Sequence, residues 1–257
     1  MCLIDVVNVT KTFRSSLDEG KEVKAVDGLT LQIQKGELVT IFGPNGCGKT
    51  TFLGLLAGIL HADSGFIRWD VKAGDPLQVG YVFQNYGDTL LPWRTVEGNL
   101  AFPLEVRRLD KLEIDKRVGK RLELFRLSEH ANKYIYELSG GLKQLVAIAR
   151  STVYDPQLLL LDEPFSALDY SISRLMWRQF RKFWSDLNVT TVFVSHNVDE
   201  ALFLGDKVCV LTPRPARLAA EIPIPFGRTR SLDLLKDETF FAVRAKVLSA
   251  FENGRAS

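Results

Sequence analysis

The chain contains a glycine-rich run whose residue types and spacing suit the binding of a phosphate chain. Gly43 and Gly48 are separated by four residues, and Lys49 and Thr50 follow directly. Glycines let backbone N–H groups approach phosphate oxygens, the lysine can reach the β- and γ-phosphates, and the threonine hydroxyl can bind Mg²⁺. An apolar stretch that predicts a strand precedes the run, and a predicted helix follows it, as this motif requires. The pattern therefore predicts a site for nucleotide phosphates.

A second helix start with similar chemistry lies much later in the chain. Ser139, Gly140 and Gly141 precede the amphipathic sequence that continues to Arg150. The bare N–H groups and the positive end of the helix dipole at such a start favour anions. Two predicted phosphate-binding helix starts in one chain require an explanation.

Two adjacent carboxylates follow a short apolar run. Leu158–Leu161 predicts a buried strand, and Asp162 and Glu163 come directly after it. Because a strand buried on both faces cannot hold unpaired charge, we expect both side chains to emerge at its C-terminal edge, where ligands bind in open α/β sheets. Asp162 suits a Mg²⁺ ligand, directly or through water, and Glu163 suits a group that polarises an attacking water.

The elements that must position these residues alternate between strands and helices. A helix is expected at Thr50–Leu60, followed by a turn at His61–Gly65, and Phe240–Phe251 predicts a closing amphipathic helix. The polar insert Arg14–Glu22, which contains Gly20, is interpreted as the turn between the first two strands. This alternation predicts a mostly parallel sheet covered on both faces. Strands are predicted at 3–13, 24–34, Glu37–Phe42, Leu77–Phe83, Leu158–Leu161, Val189–Val194 and Val208–Leu211.

Between about residues 88 and 152 the strand pattern disappears and helical periodicity replaces it. The clearest case is Asp110–Leu127. This stretch is interpreted as a helical lobe inserted into the α/β core. Its candidate core residues are Leu112, Val118, Leu122 and Phe125.

Composition limits the classes of function. The 257 residues carry a net charge of +2, which lacks the concentrated positive field of a dedicated nucleic-acid-binding protein. Cys2, Cys47 and Cys209 show no metal-ligand or disulfide spacing, as is typical of a reducing compartment. No secretory leader is recognised, and the longest apolar stretch, Phe52–Leu60, is too short to span a bilayer. We expect any membrane association to depend on a partner.

The phosphate loop, the strand ending in Asp162 and Glu163, and Leu138-Ser139-Gly140-Gly141 together resemble the ATP-hydrolysing subunit of ABC transporters. The serine-glycine run resembles the signature that distinguishes this family, and Ser166-Ala167-Leu168-Asp169 resembles its D-loop. His196 matches the switch histidine that senses the γ-phosphate. Gln84 matches the Q-loop glutamine that links metal and water to the membrane partner. Phe13 occupies the place of an aromatic that stacks on adenine.

The resemblance implies a P-loop NTPase (ABC ATPase) core with a mostly parallel sheet, an N-terminal antiparallel β-subdomain and an inserted helical subdomain. Residues 1–87 and 153–257 would form the α/β core with its β-subdomain, and residues 88–152 the helical signature subdomain. The expected cofactors are ATP and Mg²⁺, with Thr50, Gln84 and Asp162 as metal ligands, and the expected catalytic residues are Glu163, His196 and Gln84. The residues expected to bind ATP are Phe13, Gly43, Pro44, Asn45, Gly46, Cys47, Gly48, Lys49, Thr50, Thr51, Ser139, Gly140, Gly141 and Asp169.

The resemblance also implies partners. Two ATPase subunits, identical or paralogous, would bind head to tail, so that each ATP lies between the Lys49 loop of one and the Ser139–Gly141 helix start of the other. Integral membrane permease subunits would dock near Gln84–Trp93, and a periplasmic or extracellular substrate-binding protein would act indirectly. No nucleic-acid partner is expected. The subunit would then lie peripherally on the cytoplasmic face of the cell membrane.

Local sequence runs resemble a subgroup of importers for nitrate, sulfonate, taurine or bicarbonate. These runs are Leu90-Leu91-Pro92-Trp93, Val198–Leu204 and Leu211-Thr212-Pro213-Arg214-Pro215. The alternatives are an importer for a different small solute, a soluble non-transport ABC ATPase of DNA repair or translation, and a phosphate-loop kinase or other transferase.

Three positions depart from the usual family pattern. Leu142 replaces Gln, or the Met of some anion importers, and Leu145 replaces Arg, which would remove a charged contact near the subunit interface and alter ATP-driven closure. Cys47 stands where many members have Ser, and we expect it to confer sensitivity to thiol reagents.

Overall fold

The computed structural model describes residues 2–14, 22–71 and 77–256. The chain divides into two compact units, which are described separately. Unit 1 comprises Met1–Leu77 and Thr190–Ser257, and unit 2 comprises Gln78–Val189. Within the described ranges, no helix is both long and apolar enough to cross a membrane.

Unit 1 begins with a three-stranded antiparallel sheet. Its strands are β1 (Cys2–Arg14), β2 (Glu22–Gln34) and, after β3 (Leu38–Phe42), β4 (Ser64–Trp69), with β1 in the centre. The predicted first two strands and the antiparallel subdomain are confirmed. The sequence predicted only a turn before β4, because most side chains of this edge strand are exposed and give no clear alternation. The turn predicted at Arg14–Glu22 lies, apart from its two end residues, outside the described residues.

The second sheet of unit 1 contains the strand that leads into the phosphate loop. β3 lies between β7 (Thr190–Ser195) and β8 (Lys207–Leu211) and is parallel to both, while β9 (Leu218–Pro223) is antiparallel to β8. All residues of β3 and β7 are buried, as expected of strands covered on both faces. The predicted parallel α/β core is therefore confirmed, whereas β9 was not predicted.

Three α-helices accompany these strands among the described residues of unit 1. They are α1 (Lys49–Leu56), α7 (Val198–Leu204) and α8 (Glu238–Ala256). The prediction that α1 reaches Leu60 was wrong. Gly58 adopts the left-handed conformation, and the backbone N–H groups of Ile59 and Leu60 both donate to the carbonyl of Gly54, which ends the helix with a tight turn.

Unit 2 contains a parallel strand pair and five α-helices among its described residues. β5 (Val79–Val82) pairs with β6 (Leu158–Asp162). Gly80 is required in β5, because a Cβ there would lie 2.4 Å from the carbonyl oxygen of Ser151. The helices are α2 (Tyr86–Thr89), α3 (Val96–Val106), α4 (Lys111–Leu124), α5 (Gly140–Thr152) and α6 (Tyr170–Leu187).

The stretch 88–152 is helical, as predicted, apart from loops and an isolated bridge between Thr95 and Tyr134. Val118, Leu122 and Phe125 are buried, but Leu112 is 81% exposed and does not belong to the core. Leu112 is the second residue of α4, where its side chain extends beyond the packed face. The division of the chain at residues 88 and 152 stays a prediction.

Candidate functional site

The glycine-rich loop before α1 has a backbone that only glycine tolerates at its end. Gly48 has φ +127°, and a Cβ there would lie 2.5 Å from the carbonyl oxygen of Ala25. The side chain of Lys49 is buried, and its Nζ donates to the carbonyls of Gly43 and Pro44 at 3.0 and 3.1 Å. The lysine charge is thus held inside the curve of the loop, where it suits the binding of phosphate oxygens.

Arg214 packs on this loop from outside, and Cys47 is a buried residue of the loop itself. Arg214 donates from Nε to the carbonyl of Gly46 at 3.0 Å, so the Pro-Arg-Pro run, noted above only as a subgroup feature, supports the phosphate loop. Cys47 is buried, and burial raises the pKa of its thiol despite the nearby Lys49 charge. The structure therefore argues against the expected sensitivity to thiol reagents, because the reactive thiolate is disfavoured.

The start of α5 is open to solvent. Ser139 is the N-cap residue, its backbone is extended, and its hydroxyl makes no capping hydrogen bond. Ser139 and Gly140 are exposed and Gly141 is half-buried. Neither glycine has a positive φ. The start of α5 is therefore accessible to an anion.

Four other helices of the same chain show a different pattern. The N-cap side chains of α3, α4, α6 and α7 each accept a hydrogen bond from a backbone N–H of the first turn. The N-cap residues of α1 and α5, Gly48 and Ser139, provide no such bond, and neither does Asn85 before the four-residue α2. Both helix starts that the sequence predicts as phosphate sites thus lack a capping side chain, which suits anion binding.

The two neighbouring carboxylates, Asp162 as the last residue of β6 and Glu163 directly after it, lie at the end of the strand but not in solvent. Asp162 is 3% and Glu163 8% exposed. Both residues therefore lie at the C-terminal edge of the strand, as expected, but their side chains are buried. Glu163 has φ +47°, an unusual conformation for a residue that precedes proline. Ser166 donates to the Glu163 carbonyl from its backbone N at 3.2 Å and from its hydroxyl at 2.9 Å, which fixes this turn.

Burial and the neighbouring Asp162 charge both raise the pKa of Tyr81 on β5. Since burial is the larger cause, the Tyr81 side chain stays a neutral phenol beside the carboxyl end of β6.

Asp169, the last residue of the run that resembles the D-loop, is the N-cap residue of α6. Its carboxylate accepts a hydrogen bond from the backbone N of Ile172 at 3.0 Å and caps α6. A Cβ on Gly141 would contact Ile172 Cγ2 at 3.8 Å and Met176 Sδ at 3.9 Å, so the start of α5 lies beside α6. Within unit 2, the serine-glycine start of α5 therefore lies next to α6, the helix that follows the D-loop run.

Gln84 lies two residues beyond β5 and is exposed, so its side chain is accessible to a partner. After it comes the segment Thr89–Thr95, which we call the docking segment. Leu90 in this segment is buried, whereas Trp93 is 71% exposed.

Hydrogen bonds hold the docking segment at both ends. Arg150 of α5 donates to the Thr89 carbonyl at 2.7 Å and to its hydroxyl at 3.1 Å. The buried amide of Asn99 accepts from the backbone N of Leu91 and donates to the carbonyls of Leu91, Arg94 and Thr95. No sequence pattern indicates a role for Asn99 or Arg150, because that role depends on packing between helices.

His196 and Phe13 belong to unit 1, together with the phosphate loop. His196 follows β7 and is exposed between the buried Ser195 and the half-buried Asn197. Phe13 near the end of β1 is 39% exposed, and Lys11 Nζ lies 5.6 Å from its ring centroid. An exposed ring agrees better with stacking on a base than with a core role.

The predicted metal ligands were tested against the residue types present. No group of three or more His, Cys, Asp or Glu side chains that could hold a metal occurs in the parts of the chain that the structure describes. Mg²⁺ does not require such a group, since it keeps several waters and binds substrate phosphates beside one or two protein oxygens. The exposed Thr50 beside the phosphate loop fits that chemistry.

Comparisons with known sequences agree with this geometry. The family model described as ABC transporter matches residues 26–166, more than half of the chain. An uncharacterized ABC transporter ATP-binding protein of Methanocaldococcus jannaschii is 38% identical over 252 residues, covering 97% of this chain and 91% of that protein. The taurine import ATP-binding protein TauB of Escherichia coli is 39% identical over 244 residues, covering 90% of this chain and 93% of TauB.

Solved structures show the same fold. An ATP-binding cassette, solved as a dimer in a post-hydrolysis state bound to ADP and Pi, is similar with a TM-score of 0.73 and 28% identity over 88% of this chain and all of that chain. The structure of cbiO1 from Clostridium perfringens, part of the ABC transporter complex cbiONQ, gives a TM-score of 0.76 and 25% identity over 98% of this chain and 97% of that chain. The chain therefore belongs to the ABC transporter family, as an ATP-binding and ATP-hydrolysing subunit.

Proposed function

We propose that this chain is the ATPase subunit of an importer, in which two subunits close around ATP and drive the uptake of a small anion. The observation that supports this most directly is the pair of uncapped helix starts, α1 in unit 1 and α5 in unit 2. One chain then offers two different surfaces to phosphate. Two copies arranged head to tail would use both surfaces on each nucleotide.

The residues of the phosphate loop bind and orient ATP in this proposal. Lys49 and the loop N–H groups hold the phosphates, Phe13 stacks on the adenine, and Ser139–Gly141 of the second subunit contact the γ-phosphate. Mg²⁺, when bound by Thr50, Gln84 and Asp162, would offset negative charge on the phosphates.

Glu163 polarises the attacking water, and His196 contacts the γ-phosphate. The turn after β6 holds the backbone of Glu163 at a positive φ. Such a conformation costs about 1–3 kcal/mol, which is a reason to connect it with function.

The docking segment connects the ATPase to the membrane in this proposal. An exposed Trp93 on a segment held by Arg150 and Asn99 suits a rigid anchor for a permease subunit, since aromatic residues dominate the energy of many interfaces. The subunit would be peripheral on the cytoplasmic face, and a substrate-binding protein would act through the permease.

The nature of the transported anion is proposed from the relatives. TauB proteins of Escherichia coli, Roseobacter denitrificans and Pelagibacter ubique, which are 36–39% identical, are named for taurine import. We propose a sulfonate or a similar small anion, such as nitrate or bicarbonate, as the cargo.

The catalytic part of the proposal is tested by the substitution Glu163→Gln in the full chain. We expect turnover to fall by about 10²–10⁴-fold, the contribution of a general base, while the affinity for a fluorescent ATP analogue stays unchanged. Glu123→Gln, on the exposed face of α4, is the matched control and should keep wild-type turnover. Persistent steady-state hydrolysis by Glu163→Gln would show that another group activates the water.

The import part is tested separately. The chain should copurify with a polytopic membrane protein, and the reconstituted complex should take up radiolabelled taurine in an ATP-dependent manner. A complex that moves nitrate or bicarbonate and not taurine would correct the cargo, and a chain that binds nucleic acid and no membrane protein would refute the importer.

A further inference from the structure

The residues on either side of His196 form a closed hydrogen-bonded ring with the first turn of α7. The buried hydroxyl of Ser195 donates to the carboxylate of Glu200, and it accepts from the backbone N of Asn197 at 2.9 Å. The side-chain oxygen of Asn197 in turn accepts from the backbone N of Asp199 at 2.9 Å and of Glu200 at 3.3 Å. His196 is the residue between the two bonded neighbours.

This ring is a variant of the capping box. In the usual arrangement, the glutamate at the third helical position accepts a hydrogen bond directly from the N-cap backbone N–H. Here Asn197 is the N-cap and Glu200 is the third residue, but the hydroxyl of Ser195 is inserted between them. The glutamate thereby holds the residue before His196 as well as the residue after it.

Burial makes this arrangement rigid. Ser195 is 1% and Glu200 6% exposed. A buried carboxylate is costly unless it accepts hydrogen bonds, and bonds to charged groups are about twice as strong as neutral ones. Separation of Glu200 from Ser195 would therefore be unfavourable for both groups, and the backbone around His196 has little freedom.

The opposite end of α7 is fixed as well. The buried Arg230 donates to the carbonyls of Leu202, Phe203 and Gly205 at 3.0, 2.8 and 2.9 Å, at the helix C-terminus where a positive charge is favoured. Because α7 cannot shift easily at this end, Glu200 is a fixed support for the Ser195 hydroxyl.

We propose that Glu200 is a positioning residue for hydrolysis: it holds the backbone of residues 195–197 through the Ser195 hydroxyl and so sets the direction of the exposed His196 imidazole. Glu200 does not contact the nucleotide in this proposal. The inference rests on the proposed role of His196 at the γ-phosphate.

The test measures steady-state ATP hydrolysis by the full chain. Glu200→Ala should lower kcat by about 10–100-fold, as expected when a reacting group is misplaced by a fraction of an ångström to 1 Å, with little change in KM for ATP. Glu200→Gln should restore most of the activity, because its amide oxygen can still accept from Ser195. The matched control is Asp199→Asn, which removes the neighbouring negative charge 2.7 Å from Arg244 Nε but leaves the ring intact and should keep the wild-type kcat.

A double-mutant cycle with His196→Ala separates positioning from a general structural role. If Glu200 acts through His196, Glu200→Ala should cause no further loss of kcat in the His196→Ala background. An equal loss in both backgrounds would overturn the inference and leave the proposed function standing. A wild-type kcat for His196→Ala itself would instead refute the proposed role of the histidine, and the inference with it.

A second pair of variants covers the case in which Glu200→Ala does not fold. Ser195→Thr keeps the hydroxyl and should be active, whereas Ser195→Ala should reproduce the loss of kcat and the dependence on His196. Equal activity of these two variants would overturn the inference.

Discussion

The starts of helices α1 and α5 contain glycines for different reasons. At α1, Gly48 has a φ of +127° and no room for a Cβ beside the Ala25 carbonyl, so the chain's own backbone demands glycine. At α5, Gly141 has an ordinary backbone, and a Cβ would make only van der Waals contacts at 3.8 and 3.9 Å. Nothing in unit 2 requires a glycine there.

The difference indicates where each helix start finds its partner. The α1 start is completed within unit 1, with Lys49 bonded to the carbonyls of its own loop. The α5 start is exposed, and its serine hydroxyl caps nothing in its own helix. We infer that the glycines of the signature serve a close approach by something outside the subunit, in agreement with the proposed head-to-tail dimer.

The largest expected effect comes from a mixed dimer. Lys49→Ala and Ser139→Arg should each abolish hydrolysis when present in both copies. A dimer with one of each, isolated through two affinity tags, should recover one working site of two, because the unmodified Lys49 loop and the unmodified Ser139 then meet across the interface. If hydrolysis did not recover, or if both sites worked, the conclusion that the start of α5 is completed by the other subunit would be contradicted.

A matched pair of alanine substitutions gives the next largest effect. Gly48→Ala should reduce the free energy of unfolding by about 2–4 kcal/mol, because alanine is strained at this φ and collides with a backbone carbonyl. Gly141→Ala should instead raise it by up to about 1 kcal/mol through helix propensity, while turnover falls. Urea denaturation and ATPase assays of both variants measure this contrast.

The comparison would fail if the two variants behaved alike. Equal destabilisation would mean that unit 2 itself requires Gly141. Full activity of Gly141→Ala would mean that nothing approaches the start of α5 closely.

The smallest effect concerns thiol reactivity at the two starts. Burial raises the pKa of Cys47, so its thiol remains protonated, and its alkylation should become fast only at a higher pH than for an ordinary cysteine. A cysteine introduced by Ser139→Cys lies at an exposed helix start and should react readily near neutral pH. Mass spectrometry of N-ethylmaleimide labelling, in a Cys2→Ser background, gives both rates. Equal rates at pH 7 would contradict the burial of the α1 start.

The sequence predicted best what depends on local pattern. Fully buried strands such as β6 and β7 are continuous apolar runs, so they and the carboxylates after β6 were located correctly. Edge strands β4 and β9 were missed because exposed side chains leave little pattern. The signature helix was found because its serine and glycines are unusual before an amphipathic run.

Sequence patterns could not predict contacts between residues that are far apart along the chain. Arg214 on the phosphate loop and Asn99 in the docking segment become significant only when the fold brings their partners near. The same is true of burial: Glu163 and Cys47 were recognised as part of motifs, but their low exposure depends on neighbouring elements. Leu145, which replaces the usual Arg, is also buried, so its side chain lies inside unit 2 and not at its surface.

The bonds between Arg150 and Thr89 have a mechanical consequence. The thirteen residues of α5 form a rod about 20 Å long, with the exposed Ser139 before one end and Arg150 near the other. Because Arg150 donates two hydrogen bonds to Thr89, the C-terminal end of α5 and the docking segment are held together. We expect a displacement of the serine end of α5 to move Thr89, and with it the docking segment that carries the exposed Trp93.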